Sequence, residues 1–334
     1  MRALLKRIKL TWNSVAWIIM AIFLIEAAGF GYFYWARRNP AQLVTTRLPE
    51  LQPGPPRFLY SLYGPAGGES FRKPMAVTVS GRRIYVSDAG GHRVQVFDYD
   101  GRPIGSFGEP GSGPGALDFP YGIAVDAQGQ IYVADMTVGA IKVYDNAGQF
   151  LRYFAEAKPG DHVFQKPAGL YISGDRFYIT DLIKNQVLVY SLDGQKLLEF
   201  GKKGTANGEF KSPNFVLASG NQIYVVDTGN DRVEVFSDQG KYLLSFNGAP
   251  GGKGDSLIIN PRGVGVDAHG TIYVVSNLTH QVVAFNAQGQ KLFVFGGPGV
   301  DDDKFSLPNG LWIDDQGRFY ITDTVNRRVA VFES

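Results

Sequence analysis

From about residue 57 to the end of the chain, apolar and polar positions alternate with a period of two, in short runs punctuated by Gly, Asn, Asp and Pro. That pattern predicts many short β-strands. The runs also repeat one another. RRIYVSDAGGHRVQVFDYDGRPIGSFG, GQIYVADMTVGAIKVYDNAGQFLRYFA and DRFYITDLIKNQVLVYSLDGQKLLEFG are three of six copies of one unit. Taking Asp88 as the mark, its equivalents are Asp135, Asp181, Asp227, Ser276 and Asp323, spaced by 47, 46, 46, 49 and 47 residues. A steady period in the forties, built from alternating strands, predicts the blades of a β-propeller. Each unit offers four strands: an inner one after a proline (PYGIAVD), a second (IYVAD), a third (IKVYD) and an outer one (FLRYFA). Gly, Asn and Asp fill the turns between them, where positive φ angles are needed.

The sixth copy stops at Ser334, one strand short, while RFLYSLYGPAGGESF at 57–71 matches the outer strand and following connector of the other units. Phe58–Tyr63 is therefore expected to pair as the outer strand of the last blade, closing the ring and removing a sheet edge. The expected fold is all-β: a six-bladed propeller over 57–334, closed by strand 58–63.

Ahead of the repeats the pattern changes. Val15–Tyr34 is an apolar run of twenty residues with one charge, flanked by Trp12 and Trp17 on one side and Tyr32, Tyr34 and Trp35 on the other. This predicts a single transmembrane helix over 12–35 with aromatic belts. Basic residues are denser before it, which places a cytoplasmic basic N-terminus at 1–11 and the propeller outside the cytoplasm, in a periplasm or at the cell surface. A cleaved signal peptide, with Ala27 and Gly29 as its small residues, is the alternative. Glu26 is costly inside a bilayer unless paired or protonated, and Gly29 lies one turn on. The two are expected to contact another membrane subunit, or else to sit in a lone anchor. Residues 36–56 hold five prolines and read as a semi-extended linker.

Charge and composition then narrow the function. Residues 1–47 carry seven Lys/Arg and one acid, which leaves 26 basic and 30 acidic residues for 48–334, a net of −4. An acidic domain is a poor nucleic-acid binder. With no cysteine in the chain, disulfides, Cys-held metals and covalent haem are excluded.

The blades resemble the NHL repeat: a proline-initiated inner strand, IYVxD, a short loop, a VxVF strand and a DGxxxxxF turn and strand. Asp227-Thr-Gly-Asn-Asp-Arg-Val and Asp323-Thr-Val-Asn-Arg-Arg-Val carry the resemblance most clearly. It covers about 57–334 and implies the fold. Propellers of this kind serve as lyases, hydrolases, RNA binders and protein scaffolds, so it implies little about activity.

Chemistry is expected on the face that holds the inter-blade connectors and the loops after the second strands, here called the top. Met75, Tyr121, Ala168, Asn214, Arg262 and Asn309 should ring the channel mouth there, inside loop tips His92, Gly139, Asn185, Asp231, His280 and Arg327. The resemblance brings two enzymatic precedents. An amidating lyase holds zinc on three histidines. Here His92 and His280 lie in different blades, His162 in a connector and His269 in a turn of the other face, so convergence on one ion is not expected. Lactonase-like propellers hold calcium with acidic ligands, but at this mouth Asn214 and Asn309 share the ring with Arg262 and no carboxylate. Asp301–Asp303 read as solvated, and the repeated Asp as a structural acceptor of loop N–H groups or a partner of Arg93, Arg232 and Arg328. Met136, Val138, Leu182 and Ile183, with Leu278 and Val325 elsewhere, put apolar side chains on the top rim. Those on blades 2 and 3 are expected to form a partner-binding patch. The reading is a non-catalytic, membrane-tethered scaffold or accessory subunit binding a protein, within a larger membrane complex, with no cofactor and no metal. A metal-dependent hydrolase or lyase at the channel mouth is the alternative.

Overall fold

The computed structural model describes residues 54–64, 70–249 and 254–334. The expected basic N-terminus, transmembrane span with Glu26 and Gly29, and most of the linker lie outside the described residues. Among the described residues no helix is long and apolar enough to cross a membrane.

Six four-stranded antiparallel sheets follow one another round a ring. The inner strands are Pro74–Ser80, Pro120–Val125, Pro167–Ser173, Pro213–Ser219, Pro261–Val266 and Pro308–Ile313. Both faces of each sheet are covered by neighbouring blades, so the second strands read as near-continuous apolar runs. Ile131–Asp135, for example, is buried at every position. The outer strands keep one face in water, and Lys196–Phe200 accordingly alternates in exposure.

Six apolar clusters fill the gaps between blades. Tyr132, Phe154, Phe164, Phe177 and Tyr190 form the aromatic centre of the one between blades 2 and 3. Each connector adds a plug three residues before the next inner proline: Phe71, Leu117, Phe164, Phe210, Ile258 and Phe305, all buried. The inner strands approach closely. A Cβ on Gly122 would meet the Ala168 carbonyl oxygen at 2.0 Å and one on Gly169 the Phe215 Cα at 2.5 Å, so glycine there is set by space rather than by φ.

The last blade is closed as expected, one residue early. Arg57–Leu62, rather than 58–63, pairs with Arg328–Glu333, with Leu62 opposite Val329 and a bulge between Phe58 and Tyr60. Tyr63 falls outside the strand because the chain turns at Gly64, whose φ is 107°. On the channel side the Thr322 hydroxyl donates to the Met75 carbonyl at 3.0 Å, joining blade 6 to blade 1. Ser87 and Thr180, at the same repeat position, donate in the same way to Tyr121 and Asn214 of the following blades.

Leu62 is buried among Phe71, Tyr320, Val329 and Val331. Leu62→Ala should cost about 2–4 kcal/mol in urea unfolding, and the amides of 58–62 should exchange as slowly as those of 329–332. Fast exchange confined to 58–62 would show that the ring is not held shut there.

Candidate functional site

The register pairs each inner proline with the repeated acid, Pro74 with Asp88 and Pro213 with Asp227. Connectors and second-strand loops therefore share the top face. Each carboxylate is fully buried, and its main acceptor task differs from the expected one: it takes N–H groups from the connector before its own inner strand. Asp88 accepts from Arg72 and Lys73 at 2.9 and 2.7 Å. Asp135 takes Asp118 and Phe119, Asp227 takes Lys211 and Asp323 takes Ser306. Asp181 also caps its following loop through the backbone N–H groups of Ile183 and Lys184, and Asp227 and Asp323 accept from the Asn230 and Asn326 side-chain amides of theirs. Ser276 keeps the connector bond in blade 5 with its hydroxyl, 2.9 Å from Ile259 N.

The expected arginine partners are present. Arg93, Arg232 and Arg328 lie 3.3, 2.8 and 2.9 Å from their aspartates. Sequence reasoning missed the fourth cation. Blade 2 has Ala140 where blades 1, 4 and 6 have arginine and blades 3 and 5 glutamine, and Lys142 stands two residues further on, on the same face of the strand. Its ammonium is fully buried and bonds Asp135 at 3.0 Å and the Gly113 and Ala116 carbonyls at 3.0 and 2.6 Å. Even with such partners, burial pushes the carboxyls of Asp227 and Asp323 up.

The loop tips are set by backbone shape. His92, Gly139, Asn185, Asp231, His280 and Arg327 all have φ between 51° and 70°. Four of them reach the next connector. Asn185 Oδ1 accepts from Ser212 N, Asp231 Oδ1 from Asn260 N and His280 Nδ1 from Leu307 N, while His92 Nδ1 lies 3.2 Å from Leu117 O. The histidines at these tips thus brace neighbouring blades. The Asp301–Asp303 run is exposed, and its backbone serves Arg328, which donates to Asp301 O.

Met75, Tyr121, Asn214, Arg262 and Asn309 do line one opening at the channel mouth, of only about 10 Å³. That is the space of about one water molecule. Tyr121 donates to Asn214 Oδ1 at 2.8 Å across the mouth, and Asn309 Nδ2 donates to Thr324 Oγ1 at 2.8 Å. At the lower end the rings of Tyr171 and Trp312, from opposite blades, lie 5.9 Å apart.

The expected apolar patch divides. The first loop residue after each acid turns toward the mouth, so Met136 is buried with Met75, Ala89, Tyr121 and Ala168, and Leu182 packs against them. Val138 is half-buried. The second loop residue points out: Ile183, Leu278 and Val325 are 57%, 52% and 55% exposed. The exposed apolar tips therefore stand on blades 3, 5 and 6 rather than on 2 and 3. The same geometry splits the mouth into an apolar half (Ala89, Met136, Leu182) and a polar one (Thr228, Asn277, Thr324).

Glu234 is the other group that the sequence did not flag. It is fully buried, with Oε1 accepting from Gly208 N at 3.2 Å and lying 3.3 Å from Arg232, while Oε2 has no partner. Burial pushes its carboxyl up to about 7, against the pull of Arg232.

Two measurements follow. The folded chain holds the Glu234 proton to about pH 7 and the unfolded chain releases it near 4.5, so stability should fall as pH rises from about 4.5 to 7 and then level off. Glu234→Gln should remove about 1–2 kcal/mol of that slope; equal slopes in denaturant titrations at pH 5 and 8 would refute the assignment. Lys142→Ala strands the buried Asp135 charge and should cost about 3–5 kcal/mol, much of it recovered by adding Asp135→Asn.

Comparison with known proteins agrees with the geometry. Residues 70–155 match a family described as 6-bladed beta-propeller. Protein brain tumor of Drosophila melanogaster is 34% identical over 105 residues, 30% of this chain and 10% of that protein. NHL repeat-containing protein 3 of Homo sapiens is 31% identical over 93 residues, 26% of this chain and 27% of that protein. The matches thus span a tenth and about a quarter of these relatives. Among solved structures, a gluconolactonase from Xanthomonas campestris superposes with a TM-score of 0.59 at 20% identity, covering 84% of this chain and 95% of that one. A streptogramin B lyase does so at 0.55 and 14%, covering 83% and 86%. At such identities the structures show the fold alone. The chain is a six-bladed β-propeller whose repeats are similar to those of NHL-repeat proteins.

Proposed function

We propose that the chain is a non-catalytic scaffold or accessory subunit that binds a protein partner on the top face of its propeller. In this reading the apolar segment at 12–35 tethers it to a membrane, with the blades outside the cytoplasm and Glu26 and Gly29 against another subunit of the same complex. The observation that carries the binding role is the exposure of Ile183, Leu278 and Val325 on rigid loop tips of one face. Aliphatic side chains held out there add nothing to the core, and they are what a partner would cover. The closing strand starts at Arg57, at the bottom-face end of the last blade, so the preceding chain joins the domain away from these tips.

The alternative, a metal-dependent hydrolase or lyase, draws support from the lactonase and lyase among the structural neighbours. It would have to work through Asn214 and Asn309 beside Arg262. Small-molecule sites usually offer about 300–1,000 Å³, and the mouth offers about 10 Å³. The geometry favours the scaffold.

The test is recovery of bound protein with the full chain in mild detergent. Ile183→Asp combined with Leu278→Asp should reduce it at least tenfold, while Leu197→Asp, at an exposed outer-strand position, should leave it unchanged. Equal recovery from all three would remove the top face from consideration.

A further inference from the structure

The polar half of the mouth carries donors without acceptors. Arg262 follows the inner proline of blade 5, and its Nε is buried with no hydrogen-bond partner. No carboxylate among the described residues forms an ion pair with it. That Nε–H has lost water and gained no acceptor, which is costly, while the rest of the half-buried guanidinium keeps its donors open to the mouth. Asn214 lines the same opening. The Tyr121 hydroxyl occupies its Oδ1, which fixes the amide and leaves the Nδ2 hydrogens as further donors. Round the ring, the two positions before each inner proline hold Arg72, Lys73, Lys166 and Lys211 against a single acid, Asp118. These cations stand in a domain whose overall balance is negative.

We infer that the channel mouth takes a carboxylate, from an acidic side chain or C-terminus of the protein partner, between Arg262 and Asn214. The inference rests on the top-face reading above and gives it a chemistry. A carboxylate supplies acceptors and no donors, and a guanidinium binds it with charge-assisted hydrogen bonds. The opening of about 10 Å³ admits one carboxylate oxygen and not a whole small molecule. Ile183, Leu278 and Val325 then flank the captured group with apolar contacts. Nucleic acid fits less well: phosphate-driven binding needs many cations along a track, and single strands need exposed aromatic platforms. The exposed tips here are aliphatic.

The experiment is selection of a random dodecapeptide phage library on the full chain in detergent micelles, run in parallel on wild type, Arg262→Gln and Ile183→Asp. Wild type should enrich peptides with a Glu, Asp or free C-terminal carboxylate beside aliphatic residues. A synthetic peptide of the enriched sequence should bind Arg262→Gln at least tenfold more weakly, and Arg262→Lys should recover part of the loss. Because Arg262 makes no hydrogen bond or ion pair among the described residues, Arg262→Gln should melt at the same temperature as wild type or higher, which separates lost binding from lost structure. Enrichment without an acidic position, sensitive to Ile183→Asp but not to Arg262→Gln, would overturn this inference and leave the top-face reading standing. No enrichment on any of the three would overturn both. Displacement of the peptide by an equimolar single-stranded RNA would also overturn it, by assigning the mouth to a polyanion.

Discussion

A carboxylate buried at the end of a second strand, bonded to the connector that leads into its own blade, is the contact on which the top face depends. It joins two pieces of chain some 16 residues apart, Asp88 with Arg72 and Asp227 with Lys211, and pins the connector before the inner strand begins. With the connector pinned, its apolar plug drops between blades and the residue after the proline is presented to the channel. The carboxylate must be compensated, and Arg93, Lys142, Arg232 and Arg328 do so in four blades. The geometry of the mouth is thus a by-product of a structural device repeated round the ring.

The repeat itself was legible because its period is long and its punctuation regular, and the closing strand was legible because its partner was visibly missing. Its boundary was misplaced by one residue, since an aromatic at 63 continues the alternation while Gly64 already turns the chain. Met136 was misread for a different reason. Composition shows that a loop carries an apolar residue but not which way it points, and direction here alternates from one loop position to the next. Comparing the six loops position by position would have shown small or apolar residues at the first place in blades 1 to 3. Lys142 was hidden by its offset of two residues, recoverable from strand parity. The lone state of Arg262 was not recoverable, because the absence of a counter-ion is a fact about three-dimensional neighbours.

Where the six units agree, they build the fold. Where they differ, they give the molecule its individuality. Serine for aspartate in blade 5, lysine in blade 2 and glutamate in blade 4 at a strand position that is apolar in blades 3, 5 and 6, arginine at one inner-strand start and leucine, isoleucine or valine at selected loop tips are the departures that matter. A ring of identical blades would have a symmetric mouth and no preferred orientation for anything docked on it. Here one half is apolar and the other polar, which breaks that symmetry.

The pairing of Arg57–Leu62 with Arg328–Glu333 also has a mechanical side. Ladder hydrogen bonds run perpendicular to the strands, so a pull on Arg57 along the strand axis, away from Leu62, acts across every one of them. Tension in that direction loads the bonds of the ladder together in shear instead of peeling them singly. A pull on the first residue of the closing strand is thus shared by the whole ladder.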